Sequence, residues 1–118
     1  MYIYQLERVL LERQVRRFSH YIQGKVLDVG AGTGQRYRRF FTCDEYITLD
    51  TFAHENIALV GSADAIPLKN ASVDSIVCTQ VLGDVFEPSK ALKEFHRVLR
   101  KGGHVLLTES FINEMHDE

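Results

Sequence analysis

The stretch Val26-Leu27-Asp28-Val29-Gly30-Ala31-Gly32-Thr33-Gly34 decides how this chain of 118 residues folds. Its first four residues are apolar except for one aspartate, and this short, β-branched run predicts a buried parallel strand rather than a helix. Glycines then occupy every second position, which predicts a turn whose backbone approaches a ligand closely and adopts angles that a Cβ would forbid. A strand, a glycine turn and a following helix form a ligand-binding crevice at the carboxyl end of a parallel sheet.

The spacing of the glycines separates two kinds of nucleotide ligand. Dinucleotide-binding folds use G-x-G-x-x-G, whose backbone wraps a pyrophosphate, whereas the glycines of this turn fall at 30, 32 and 34. Asp28 lies two residues before the first glycine, and a carboxylate there suits a positively charged ligand better than one with phosphates. A nicotinamide dinucleotide domain is therefore the disfavoured alternative.

Composition and charge are those of an ordinary small globular domain. The chain is 45% hydrophobic and 25% charged, and its net charge of −2 gives no overall reason to expect nucleic acid or an anionic membrane as the main partner. No apolar run is long enough to span a bilayer, and the N-terminus lacks the features of a signal peptide. Cys43 and Cys78 lack metal-ligand spacing, as do the histidines, so we expect free thiols in a reducing cytoplasm and no metal site. Two arginine groups form either a basic patch for an anionic substrate or a solvated helix face: Arg13, Arg16 and Arg17, and Arg36, Arg38 and Arg39.

Strands alternate with helical patterns along the chain, which predicts an α/β fold with a doubly wound, mostly parallel sheet. Helices are expected over residues 3–20, 35–41 and 89–100, the last of them ended by Lys101-Gly102-Gly103. The predicted strands are 25–29, 46–49, 57–60, 73–79 and 104–108.

The glycine turn together with Asp28 resembles motif I of the class I S-adenosylmethionine-dependent methyltransferases, whose pattern is D-x-G-x-G-x-G. Three later stretches, 61–68, 70–82 and 90–103, resemble further motifs of this family in the same order. The resemblance implies a Rossmann-like sheet of about five strands in the order 3-2-1-4-5, flanked by helices. It also implies S-adenosyl-L-methionine as the cofactor and methyl transfer to an acceptor that the sequence does not identify. We expect an N-terminal amphipathic helix (1–23), a cofactor-binding core (24–110) and a C-terminal tail (111–118).

The predicted cofactor contacts lie at the ends of the predicted strands. Asp50 ends the second strand, where a carboxylate can accept hydrogen bonds from both ribose hydroxyls. Asp28 is expected to bind the cofactor's ammonium group, to tie the glycine turn together through backbone N–H groups, or to do both. The full predicted set is Asp28, Gly30, Ala31, Gly32, Gly34, Asp50, Thr51, Ser62, Ala63, Asp64, Thr79, Gln80 and Val81.

Two positions depart from the family's pattern. Ser62 stands where relatives usually have the aspartate that binds the adenine amino group. Adenine recognition is therefore expected from Ser62, from Asp64 on a shifted loop, or from backbone groups around Ala63. Gly83-Asp84 replaces the Glu-His pair that often follows the fourth strand. Asp84 is accordingly the candidate base, with a solvated loop carboxylate as the alternative.

The family normally adds two strands after the fifth, whereas this chain stops at Glu118, so we expect a C-terminally truncated sheet with an unpaired edge. Exposed apolar edges pair with other chains, which predicts a homodimer or a partner chain covering the fifth strand. The expected function is methyl transfer in the cytoplasm, to a small molecule in preference to nucleic acid. The alternative is a non-catalytic methyltransferase-like subunit that works by binding a partner.

Overall fold

A five-stranded parallel sheet forms the centre of the protein in a computed structural model that describes residues 2–32, 35–79 and 88–108, with side chains from residue 9 onward. The strands are β1 (Lys25–Val29), β2 (Glu45–Asp50), β3 (Leu59–Val60), β4 (Val73–Thr79) and β5 (Leu99–Thr108). They lie in the order β3-β2-β1-β4-β5 and each neighbouring pair is parallel, which confirms the predicted topology. The order reverses between β1 and β4, and such a reversal marks the ligand-binding crevice of an open α/β sheet.

Two helices cover opposite faces of the sheet. Helix α1 (Tyr2–Phe18) continues into a 3-10 turn at Ser19–Tyr21, and helix α2 (Pro88–Val98) lies between β4 and β5 in the chain. Because successive residues of a strand point to opposite faces, β1 and β4 each contribute to two apolar cores. The α1 face buries Leu11, Val15, Ile22, Val26, Val77 and Leu106, and the α2 face buries Leu27, Val29, Ile76, Cys78, Ala91, Phe95 and Val98.

The third strand is shorter than its apolar pattern predicts. A strand is predicted over residues 57–60, but β3 contains Leu59 and Val60 alone. The Thr48 hydroxyl donates to the carbonyl of Asn56 (2.8 Å) and accepts the N–H of Ala58 (2.9 Å). The backbone just before β3 therefore bonds to a side chain of β2 instead of continuing the ladder.

Helix α2 ends two residues before its predicted limit. It stops at Val98 because the N–H groups of Ala71 and Ser72 bond to the carbonyls of Arg97 and Val98, at 2.9 and 2.8 Å. These bonds bring the end of the helix to the start of β4, where Leu99 pairs with Val73. The glycine pair at 102 and 103 therefore lies inside β5, at an irregularity of its pairing with β4, rather than after the helix.

The segment after the glycine turn forms a 3-10 turn, Arg38–Phe40, instead of the helix predicted over residues 35–41. Gln35 has a φ of 45°, which no right-handed helix permits. Tyr37 and Phe41, on either side of the 3-10 turn, are both buried in the core on the α1 face. One tight turn therefore lets two aromatic side chains reach the same core.

Neither described helix is both long and apolar enough to cross a membrane. The predicted tail at 111–118 lies outside the described residues, and the division into 1–23, 24–110 and 111–118 stays a prediction.

Candidate functional site

The glycine turn lies over the carboxyl ends of β1 and β2. The N–H groups of Gly30 and Ala31 both donate to the carbonyl of Leu49, at 2.8 and 3.1 Å, so the turn is tied to the neighbouring strand as it leaves β1. Gly32 has a φ of +65°, and a Cβ built there would meet nothing within 4 Å. The backbone conformation, rather than crowding, therefore calls for glycine at this position, and a ligand can approach the backbone closely.

Asp50 connects this turn to the end of β2. Its Oδ2 accepts the N–H of Gly32 at 2.8 Å, and its Oδ1 accepts the N–H of Thr51 at 2.7 Å. Its own carbonyl accepts the N–H of Gly61 at 2.9 Å, which anchors the loop after β3. Three loops therefore meet at one residue. Oδ1 also faces the Thr51 hydroxyl at 3.5 Å, whereas Oδ2 keeps a further lone pair, so the carboxylate can still accept a hydrogen bond from a ligand hydroxyl.

Asp28 is buried and bonded to a residue that sequence reasoning missed. It is only 4% exposed, and its Oδ2 accepts a 2.6 Å hydrogen bond from the hydroxyl of Tyr46 on β2. Burial raises the pKa of Asp28 to about 6; the bond from Tyr46 lowers it, and the nearby charge of Asp50 raises it. Asp50, predicted as the ribose acceptor, and not Asp28 accepts the N–H of Gly32 and so ties the glycine turn.

The pairing register explains why Tyr46 reaches Asp28. Val26 pairs with Tyr46 and Asp28 with Thr48, so Tyr46 and Asp28 are diagonal neighbours on one face of the sheet. Burial, together with the charge of Asp28 and the hydrogen bond to it, raises the pKa of the Tyr46 phenol, which therefore stays a donor. The guanidinium of Arg38 stands over the Tyr46 ring, 5.3 Å from its centroid.

The predicted adenine-side residues form one small unit. The Ser62 hydroxyl donates to the carboxylate of Asp64, and the N–H of Ala65 donates to the carbonyl of Ser62 at 3.1 Å. Ala63, between them, is buried in the core on the α2 face. Ser62 and Asp64, the two alternative side chains for adenine recognition, are therefore hydrogen-bonded to each other. The backbone groups of the loop lie beside this hydroxyl–carboxylate pair.

An ion pair on α2 holds the loop that follows. Glu94 accepts the N–H of Ile66 at 2.7 Å and pairs with Arg97, whose guanidinium also donates to the carbonyls of Ile66 and Leu68 at 2.8 and 2.7 Å. The hydrogen bond from Arg97 lowers the pKa of Glu94 most, with the bond from Ile66 adding to it. Glu94 and Arg97 thereby position the loop between the adenine-side unit and β4.

The remaining predicted contacts lie at the end of β4 or outside the described residues. Thr79 ends β4 and is half-buried, pairing with Thr108 of β5. Gly34, Gln80, Val81 and the candidate base Asp84 fall outside the described residues. Within the part of the chain that is described, no three His, Cys, Asp or Glu side chains cluster as metal ligands would.

The described site is a set of backbone amides and carboxylates at one edge of the sheet, with Asp28, Asp50 and Asp64 on three neighbouring segments. Such a rim suits a ligand that carries hydroxyl donors and a positive charge, and it offers little to a pyrophosphate. The geometry therefore agrees with the class of ligand that the glycine spacing favours.

Comparison with known proteins identifies the family. A model of the methyltransferase domain family matches residues 27–107. An uncharacterized methyltransferase of Mycobacterium tuberculosis is 34% identical over 92 residues, which cover 69% of this chain and 37% of that protein. The ubiquinone/menaquinone biosynthesis C-methyltransferase of Rubrivivax gelatinosus is 28% identical over 116 residues, covering 88% of this chain and 46% of that protein.

Among solved structures, a SAM-dependent methyltransferase from Thermotoga maritima superposes with a TM-score of 0.65 at 23% identity, covering 98% of this chain and 66% of that one. This likeness concerns the fold. The chain spans less than half the length of the two curated relatives named above. With the family model matching most of its residues, from the first strand through the fifth, the chain belongs to the methyltransferase domain family.

Proposed function

We propose that this chain is the cofactor-binding part of an S-adenosyl-L-methionine-dependent methyltransferase, and that it takes part in methyl transfer to an acceptor. The observation that carries the proposal is the hydrogen bond that the amide of Gly32 donates to the carboxylate of Asp50, at 2.8 Å. That bond holds the glycine turn against the end of β2. A nucleoside ribose bound there would meet a carboxylate in a fixed position, beside backbone that the ligand can approach closely. Family membership supports the choice of S-adenosylmethionine over other nucleosides.

The residues at the sheet edge fit this cofactor by their chemistry. Asp50 accepts hydrogen bonds from the ribose hydroxyls, and the exposed Thr51 follows it, with its hydroxyl 3.5 Å from Oδ1 of Asp50. Asp28 supplies negative potential toward the ammonium group, and the unit around Ser62, Ala63 and Asp64 offers hydrogen-bonding groups to adenine. Gly30, Ala31 and Gly32 lie in the turn, and Gly34, Thr79, Gln80 and Val81 complete the predicted set.

When bound, S-adenosylmethionine supplies an electrophilic methyl group on a sulfonium centre. The contribution of this chain is to hold and orient that group and to keep water away, because alignment and exclusion of water lower the barrier of a direct displacement. Asp84 remains the candidate for a base that accepts a proton from the acceptor.

Calorimetry tests the cofactor assignment, with S-adenosylhomocysteine, S-adenosylmethionine and NAD as ligands. We expect the two sulfur nucleosides to bind and NAD not to bind. Asp50→Ala should weaken binding at least tenfold, because it removes a ribose acceptor and frees the glycine turn. Asp44→Ala is the matched control, since this exposed carboxylate precedes the same strand at its opposite end. Binding of NAD alone, or equal losses for both variants, would overturn the assignment.

A second function, that of a partner-binding subunit without catalysis, draws its support from β5. Val105 and Leu107 are exposed by 37% and 38%, and the outer edge of β5 has no paired strand in the described part of the chain. A second copy or a partner chain that adds a strand there would cover these side chains. Sedimentation velocity over a concentration series tests this, and a strict monomer at every concentration counts against the homodimer.

Neither Cys43 nor Cys78 takes part in a disulfide within the described residues, which supports a cytoplasmic location, where thiols stay reduced. Cell fractionation with a compartment marker tests this placement, and recovery of the protein outside the cytoplasmic fraction would contradict it.

A further inference from the structure

The two arginine groups of the chain meet in the folded protein. Arg16 on α1 and Arg39 after the glycine turn both stand over the ring of Phe40, with guanidinium carbons 5.1 and 4.3 Å from the ring centroid. Glu12, one turn before Arg16, pairs with Arg39 at 3.5 Å. The resulting arginine surface consists of Arg13, Arg16, Arg17, Arg36, Arg38 and Arg39, all of them exposed.

Charge is distributed very unevenly between this surface and the rest of the chain. Residues 9–18 and 35–40 contain six of the fourteen cationic side chains but one of the sixteen acidic ones, Glu12. The remainder of the molecule is correspondingly acidic, so the net charge of −2 conceals a strongly polarised protein. The net charge of −2 therefore does not disfavour a polyanionic partner at this face, where the local potential is positive.

The cations on this surface are all arginine, whereas all five lysines lie elsewhere in the chain. Five of its guanidinium groups stand over aromatic rings: Arg16 and Arg39 over Phe40, Arg17 over Phe18, Arg38 over Tyr46, and Arg36 over Tyr37 at 6.0 Å. A guanidinium on a ring face is held in orientation by the ring. Arg38 also donates to Oε1 of Gln35 at 3.0 Å and Arg39 to the carbonyl of Arg36 at 2.7 Å, so their remaining N–H groups are the ones that can meet a ligand. Planar forks of this kind match the paired oxygens of a phosphate better than lysine ammonium groups do.

We propose that the arginine surface binds the phosphate backbone of single-stranded nucleic acid. Phe18, which is 41% exposed beside Arg17, adds a ring on which an unpaired base can stack, as nucleic-acid single strands require. The surface begins directly after the glycine turn, so a bound strand would pass close to the donor site.

Fluorescence anisotropy with a labelled uridine 20-mer, measured between 50 and 200 mM salt, tests the proposal on the whole chain. We expect Arg13→Gln combined with Arg17→Gln to weaken binding about tenfold at the lower salt and to reduce the salt slope by about 1.4. Lys93→Gln combined with Lys101→Gln removes the same charge from other exposed positions and should change affinity less than twofold. Binding of S-adenosylhomocysteine should be equal in all these variants, which separates this surface from the cofactor site.

Arg16→Lys combined with Arg39→Lys tests the guanidinium itself, because it keeps the charge and removes the fork over Phe40. A loss of affinity for the 20-mer is expected here, and an unchanged affinity would overturn the role of the fork. Polyglutamate or phosphatidylglycerol vesicles that bind as tightly as the 20-mer would assign the surface to an acidic protein or a membrane instead. Absence of binding to the 20-mer at 50 mM salt would overturn the proposal as a whole.

Discussion

Replacing Asp28 by asparagine should stabilise the folded protein above about pH 6. The carboxyl is 4% exposed, and burial raises its pKa from 3.8 to about 6. The folded protein therefore keeps the Asp28 carboxyl protonated over a pH range in which the unfolded chain has already lost that proton. Stability must fall as the pH rises from the unfolded pKa through the folded one, because the charged form is favoured by unfolding.

The size of the effect follows from the shift. At about 1.4 kcal/mol per pKa unit, the rise from 3.8 to about 6 amounts to about 3 kcal/mol of lost stability above neutral pH. The cost is about 1.6 kcal/mol at pH 5 and about 3 kcal/mol at pH 8. Asparagine cannot ionise and still offers an oxygen to the Tyr46 hydroxyl. The free energy of unfolding of Asp28→Asn should therefore exceed that of the parent by a margin that widens by about 1.4 kcal/mol from pH 5 to pH 8.

Urea unfolding followed by circular dichroism at 222 nm measures this margin at each pH, since the chain has no tryptophan to report by fluorescence. Asp44→Asn, at an exposed carboxylate outside the sheet, is the control and should give a constant margin. A margin for Asp28→Asn that is the same at pH 5 and pH 8 would refute the reasoning from burial. The same widening in the control would show that the effect is not local to Asp28.

Two further predictions test the site from other directions. Gly32→Ala and Gly102→Ala both place a Cβ at positive φ in open space, so each variant should lose about 1–2 kcal/mol of stability by urea unfolding. Only Gly32→Ala should weaken the binding of S-adenosylhomocysteine, measured by calorimetry. Equal losses of binding in the two variants would contradict the placement of the ligand. Tyr46→Phe removes the donor to Asp28, so the pKa of that carboxyl should rise further and stability at pH 8 should fall by about 1.5–3 kcal/mol. Combination of Tyr46→Phe with Asp28→Asn should remove most of that loss, and a full loss in the double variant would show that Tyr46 acts through packing.

Much of the fold could be predicted because its signals are local. The run from Val26 to Val29 and the glycine turn that follows it predict a buried strand and a loop within nine residues. The observed β1 and β4 have the predicted bounds. The parallel order follows once strands and helices alternate, since right-handed crossovers leave few arrangements. The position of Asp50 could be predicted for the same reason, because Asp50 ends a strand whose carboxyl end lies beside the glycine turn.

The contacts that position the site could not be predicted, because they depend on register and on distant segments. Tyr46 reaches Asp28 as a diagonal neighbour, which requires knowing that Val26 pairs with Tyr46. The hydrogen bond that the N–H of Ile66 donates to Glu94 joins residues 28 positions apart, and the sequence of neither segment indicates that the two are in contact. The shortening of β3 likewise depends on a hydroxyl of the neighbouring strand, Thr48, which competes with the ladder.

The bond between Asp50 and the Gly32 amide also makes that amide a reporter of the donor site. Its hydrogen exchanges with solvent only when the turn lifts from the end of β2, an event that need not involve the rest of the sheet. Exchange at Gly32, compared with exchange at the core amides of β1, would thus give the free energy of opening this site separately from that of unfolding the protein. A cofactor that closes on the turn would slow that one amide first.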